Sequence, residues 1–355
     1  MANVTAVQEY AVLHAIVRAR YSTMLTAATW ETLCHARDCN ALLSMLAETV
    51  YAPYLQIDRE ELTPRRAVYQ IKKHLADTYN TIIQSTPESR QHLVLQLWRL
   101  YEIDNLKAIL RGIATGATWE QVRYVLFPLS YFTVLRPEEL LRTGNVNAAV
   151  ELLRGTPYYE SLSYALERYT TERSLFPLEV ALDLDYLRAL WDDVNRLSGE
   201  DYQQAMRIIG TQIDVTNLLW AMRYRVYHHL SEEEIINYTV PFGYKVRDED
   251  IRTIAAGGDM TQVITRCYPD LPDVRSLLRE PQRGLPELEI QLQRYVAKQC
   301  QTTFVGYPFH LGIPLAYLLL SEFEIQDLTV LIEAKAAGMP AEVFKPHLVL
   351  GWAHN

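Results

Sequence analysis

Glu102-Ile103-Asp104-Asn105-Leu106, Asp214-Val215-Thr216-Asn217-Leu218 and Glu324-Ile325-Gln326-Asp327-Leu328 are three versions of one phrase, and their spacing decides how the chain is read. From Asn105 to Asn217 is 112 residues, and from Asn217 to Asp327 is 110. Six residues farther on, the copies carry Arg111, Arg223 and Glu333. Common helical solenoids repeat every few tens of residues, so a period this long describes a unit of several helices.

Working outward, the phrase lies inside a helix. Leu93, Leu97, Leu100, Ile103, Leu106, Leu110 and Ile113 fall on one face, after Thr86-Pro87-Glu88 and before Gly116, a residue suited to a helix C-terminus. Just upstream, Val68, Ile71, Leu75, Tyr79 and Ile82 step by three and four behind Thr63-Pro64, a cap residue followed by proline at the first helical position. Two long helices therefore lie back to back.

Each phrase is followed by a helix stop and restart. Thr118 with Gln121 and Ser231 with Glu234 match the capping box, and the third copy continues through Gly338-Met339-Pro340-Ala341-Glu342. Fainter echoes share the period. Leu135-Arg136-Pro137-Glu138-Glu139-Leu140 returns 111 residues later as Val246-Arg247-Asp248-Glu249-Asp250-Ile251, and a proline adjoins a tyrosine at Pro53-Tyr54, Pro157-Tyr158 and Tyr268-Pro269. Alternating strand patterns are nearly missing. The expectation is an all-α chain of three degenerate helical domains in a pseudo-threefold arrangement, spanning 1–120, 121–235 and 236–355.

Composition bounds the function. The 355 residues are 49% hydrophobic and 22% charged, and 34 Lys+Arg against 43 Asp+Glu leave a net charge of −9, which argues against a nucleic-acid surface. Only seven cations are Lys; Arg is favoured where a planar fork meets a carboxylate. Four cysteines without paired spacing (Cys34, Cys39, Cys267, Cys300) read as reduced thiols of a cytoplasmic protein. Met1 to Tyr10 lacks the pattern of a secretory signal. The most apolar run, Phe309 to Leu320, is too short to span a bilayer.

The ordered series of motifs resembles a known family. Phe309-His310-Leu311-Gly312-Ile313-Pro314-Leu315-Ala316-Tyr317, running into the third phrase and Ile332-Glu333-Ala334-Lys335, looks like the C-terminal signature of the C subunit of archaeal and bacterial V/A-type rotary ATPases, related to the d subunit of the eukaryotic V-ATPase. Asp104-Asn105-Leu106-Lys107 through Arg111-Gly112, Phe176-Pro177-Leu178-Glu179, and Glu233-Glu234-Ile235 leading to Tyr238, Pro241 and Gly243 agree with it, and Arg18 to Tyr21 resembles the bacterial and archaeal branch. The resemblance implies a funnel-like, three-domain rotor component of the central stalk. Its partners would be the central-shaft subunits and the membrane proteolipid ring, through which it would touch the membrane from the cytoplasmic face. Its role would be torque transmission for proton or sodium transport or ATP synthesis.

Enzyme signatures are missing. No Gly-Lys dipeptide marks a phosphate-binding loop, and there is no Rossmann glycine spacing, Gly-x-Ser-x-Gly elbow or His-Glu-x-x-His helix. Catalytic residues, cofactors and direct nucleotide binding are accordingly not expected. Cys34-His35 with Cys39 lacks the second ligand pair of a zinc site. His228-His229 reads as a helix-end pair, and Asp183, Asp185, Asp192 and Asp193 as solvated helix faces. The polar repeat points to Glu102, Asn105, Arg111, Asp214, Asn217, Arg223, Glu324 and Asp327 as inter-unit contacts or residues facing a central axis. Because Asp327 replaces Asn and Glu333 replaces Arg, the third copy cannot make the same bonds as the others. The rival reading is a helical scaffold or adaptor unconnected with a rotary motor.

Overall fold

The structure, a computed structural model, describes residues 2–56, 62–129 and 131–351, which are 72% helical with no strand. Eight helices carry the architecture: α1 (Ala2–Tyr21), α2 (Pro64–Ser85), α3 (Glu88–Thr115), α4 (Tyr159–Glu172), α5 (Phe176–Asn195), α6 (Thr211–Val226), α7 (Pro281–Thr303) and α8 (Gly312–Ala336). Short helices fill 27–55, 119–152 and 232–277.

Helix ends obey the local chemistry. The Thr63 hydroxyl accepts from the Arg66 amide at the head of α2, with Pro64 at the first position, where no intrahelical donor is needed. Gly116 ends α3 in the left-handed region at φ 67°, where a Cβ would be strained. Both expected capping boxes form. Two features had no periodic signal. The helix Gly199–Ala205 passes through a π-helical turn, Met206–Gly210, into α6. Inside α7, Pro286 cannot donate to the Gln282 carbonyl, which instead accepts the Tyr227 hydroxyl at 2.9 Å.

α8 is innermost, buried without a break from Gly312 to Ile325. A helix apolar all round belongs in a core, and each Leu or Ile it buries contributes about 1.5–3 kcal/mol. α8 packs on α2 and α7, and α1 touches it as well. The last long helix of the chain thus rests on the first ones. α3 packs on α5, and α6 on α7.

The aspartates read as solvated faces are otherwise disposed. Asp193 is 5% exposed and accepts from His92 and Arg196, while Asp183 binds Lys107 of α3. Both carboxylates meet cations from a neighbouring helix, which sequence distance had concealed. All four cysteines are free thiols. No group of His, Cys, Asp or Glu among the described residues is arranged to hold a metal, and none of the described helices is long and apolar enough to cross a membrane.

Candidate functional site

The three phrases form three clasps of one design, each an acid and an amide (or second acid) buried one turn apart on a long helix. On α3, Glu102 accepts the Val134 amide and Thr133 hydroxyl at 2.7 Å and the Tyr158 phenol at 2.5 Å. One turn on, Asn105 takes both sides of one peptide residue: its Nδ2 donates to the Phe127 carbonyl at 2.9 Å and its Oδ1 accepts the Phe127 amide at 2.7 Å.

On α6, Asp214 accepts the amides of Tyr244 (2.8 Å), Lys245 (2.6 Å) and Val246 (3.2 Å). Asn217 repeats the two-way clasp on Val240, at 2.8 and 2.9 Å. On α8, Glu324 accepts the Leu25 amide at 2.8 Å and the Tyr51 phenol at 2.6 Å. Asp327 collects three amides, Val349 (2.7 Å), Leu350 (2.6 Å) and Gly351 (2.8 Å). All six side chains are at most 3% exposed. Each clasp has its own partners, and no two of the six bond to one another.

The substitutions within the repeat follow from what the loops offer. Phe127 and Val240 present a carbonyl and an amide together, which only a side-chain amide can satisfy; the loop at 349–351 presents three donors, which suit a carboxylate. Asp replaces Glu at 214 because the loop comes closer: a Cβ on Gly243 would lie 2.2 Å from Asp214 Oδ1. The shorter acid leaves a gap elsewhere. Tyr268, which follows the Asp214 loop as Tyr158 follows that of Glu102, is buried with its hydroxyl unpartnered.

Burial without a cation pushes these carboxyls upward, the backbone donors opposing it: Asp214 and Asp327 to about 6, and Glu324 to about 7. Beside Glu324, Glu322 is likewise pushed to about 7 by burial, against hydrogen bonds from the Tyr79 and Tyr101 phenols.

The repeated cations lie on the flanks of the same helices. Arg111 makes a bidentate pair with Glu179 of α5 at 2.6 and 2.7 Å, and Arg223 pairs with Glu289 of α7. Glu333 has no ion pair within 4 Å; the cation that feels its charge is Lys72 of α2. A cavity of about 630 Å³ opens between α2, α3 and α8, and Lys72, Asp104, Lys107, Arg111, Glu322 and Gln326 are among its lining.

The repeat offered no sign of Glu322, Lys72 or Asp201. The last is 8% exposed and gathers the Tyr10 phenol (2.7 Å), Arg90 Nε (2.8 Å) and the Leu311 amide (2.8 Å), tying α1, α3 and the start of α8 together. His228 and His229 are exposed beyond the end of α6, His229 in the left-handed region at φ 52°.

Residues 13–346 match the family described as ATP synthase (C/AC39) subunit. The A-type ATP synthase C subunit of Methanocaldococcus jannaschii is 24% identical over 345 residues, 96% of this chain and 86% of that protein. The protein of the same name from Methanobrevibacter smithii is 28% identical over 272 residues (75% and 70%), and that of Haloferax volcanii 24% over 286 (79% and 80%).

Proposed function

Because the chain belongs to the ATP synthase (C/AC39) subunit family, we propose that it is a non-catalytic coupling component of the central stalk, carrying torque between the shaft and the membrane proteolipid ring. The observation that carries this reading is the family match over residues 13–346, with relatives named as the C subunit of A-type ATP synthases aligned along as much as 96% of the chain. A part of this kind needs stiffness and two binding faces rather than an active site. In this reading the protein sits peripherally on the cytoplasmic face, held to the membrane through the ring.

The reading includes three helical units, 1–120, 121–235 and 236–355, closed in a ring. The clasps support it in cyclic order. Glu102 of the first unit holds Val134 and Tyr158 of the second, and Asp214 of the second holds Tyr244 to Val246 of the third. Glu324 of the third then returns to Leu25 and Tyr51 of the first. The eight repeat residues are thereby inter-unit contacts or their immediate supports. The cavity between α2, α3 and α8 is the proposed seat of the shaft's end.

The test is co-purification of the full chain with the shaft subunits and with detergent-solubilised proteolipid ring. Retention of both is expected, and binding to neither would overturn the assignment. Charge reversal at Arg111 and Arg223 together is expected to lower both stability and shaft binding. Unchanged values would remove those residues from the proposal.

A further inference from the structure

The three ion-pair positions differ in one respect that sequence distance alone does not explain. Going around the proposed ring, α3 offers Arg111 to Glu179 of α5, and α6 offers Arg223 to Glu289 of α7. At the last seam the signs are exchanged: α8 offers Glu333, and α2 faces it with Lys72, partly buried beside Thr329 and Val330 of α8. We propose that this reversed pair is a pairing code, which makes α2 accept α8 and reject the other two acid-bearing helices.

The last seam needs such a code more than the others. Glu102 and Asp214 reach partners that begin only 31 and 30 residues downstream, so chain connectivity brings each helix to its own loop. Glu324 must find Leu25 and Tyr51, which lie 299 and 273 residues away. While the chain is still assembling, α2 is exposed to wrong suitors of nearly the same build. α6, made before α8, carries an acid-amide clasp of its own, and closure of α6 on α2 would make a two-unit ring. Arg223 would then meet Lys72, and like charges held together at a packed seam oppose that closure. Glu333 likewise repels Glu179 and Glu289, so α8 is turned away from α5 and α7. The native combination is the one arrangement of the three seams in which every pair is opposite in sign. Burial depresses the Lys72 ammonium, and Glu333 followed by Asp104 opposes that depression, so the coupling across the seam acts on the native state too.

The inference rests on the three-unit reading, and its test keeps the two apart. Lys72→Glu and Glu333→Arg are made singly and together in the full chain, with denaturant stability and the yield of monomer on refolding at rising protein concentration as readouts. Each single variant places like charges at the last seam and is expected to be less stable than the natural chain. The double variant restores an opposite pair, now of the same polarity as the other two seams. Its equilibrium stability is expected to return, while its refolding yield of monomer falls roughly fivefold, because right and wrong closures have become alike in sign. A merely structural ion pair would recover both properties. Refolding of the double variant as cleanly as the natural chain, failure of its stability to return, or neutral single variants would each overturn the code. Glu324→Ala removes the clasp at the same seam whatever the sign of the pair. If it too leaves stability untouched, the three-unit reading itself is at fault.

Discussion

Tyr158 and Tyr268 each follow the loop held by an acid, yet they should respond oppositely to losing a hydroxyl. Tyr158 gives its phenol to Glu102 at 2.5 Å, and Tyr158→Phe leaves a buried carboxylate short of a donor, a loss of about 1–3 kcal/mol in equilibrium unfolding. The Tyr268 hydroxyl is already desolvated and unpartnered, so Tyr268→Phe is expected to be neutral or stabilising by up to about 1 kcal/mol. Equal losses in both would mean that Tyr268 does reach a partner. The buried carboxyls make a second prediction. Glu322 is pushed to about 7 by burial, so the folded chain holds this proton more tightly than the unfolded one. Its contribution is then full below the ordinary carboxyl range and lost as pH rises towards about 7. His74, held near 4 by burial, slopes the opposite way between there and 6.5, so the informative measurement is a difference. Stability of Glu322→Gln relative to the natural chain should improve steadily from pH 5 to pH 8, by urea unfolding at each pH; a constant difference would refute the shift.

At the scale of helices and loops, the clasp on α6 depends on a close approach that only glycine permits. A Cβ on Gly243 would sit 2.2 Å from Asp214 Oδ1 and 2.5 Å from the Val246 carbonyl, both fixed by the clasp itself. Gly243→Ala is therefore expected to cost about 1–3 kcal/mol or more, and to raise amide exchange at Tyr244, Lys245 and Val246 before exchange rises elsewhere. Unchanged protection of those three amides would show that the loop accommodates a methyl group. The contrast between what was and was not legible in the sequence lies at this scale. Helix ends were legible because Thr63-Pro64, Gly116 and Ser231 through Glu234 settle them within a few residues. The polar repeat stood out because its period persists through three copies. Its bonding did not, since whether 105, 217 or 327 should be amide or acid depends on donors and acceptors more than twenty residues downstream. Asp201 was invisible for the same reason: two of its partners, Tyr10 and Leu311, lie 191 and 110 residues off in opposite directions. The π-helical turn at Met206–Gly210 leaves the apolar spacing on either side nearly intact and so gives no periodic signal.

For the whole molecule, the proposed task makes stability and coupling separable, and the cavity between α2, α3 and α8 is where they part. Arg111 is a poor probe of binding, because its bidentate bond to Glu179 also joins α3 to α5, and any change there mixes the two effects. Gln326 is a better one. It is exposed and lines the cavity from α8, and it sits between the two buried acids Glu324 and Asp327 without sharing their bonds. Gln326→Trp places a large ring in a space of about 630 Å³ while leaving the clasps and the packed face of α8 alone. If the shaft's end is seated there, affinity for the shaft subunits should fall at least tenfold, roughly the 1.4 kcal/mol or more that a steric block imposes. The melting temperature and binding to the proteolipid ring should stay as they were. Glu342→Trp, on the short exposed helix Ala341–Phe344, adds the same ring outside the cavity and is expected to change none of the three. Full shaft affinity in Gln326→Trp would move the shaft's seat elsewhere on the protein. Loss of ring binding together with shaft binding would instead place both partners on one face, which a rotor part lying between them cannot have.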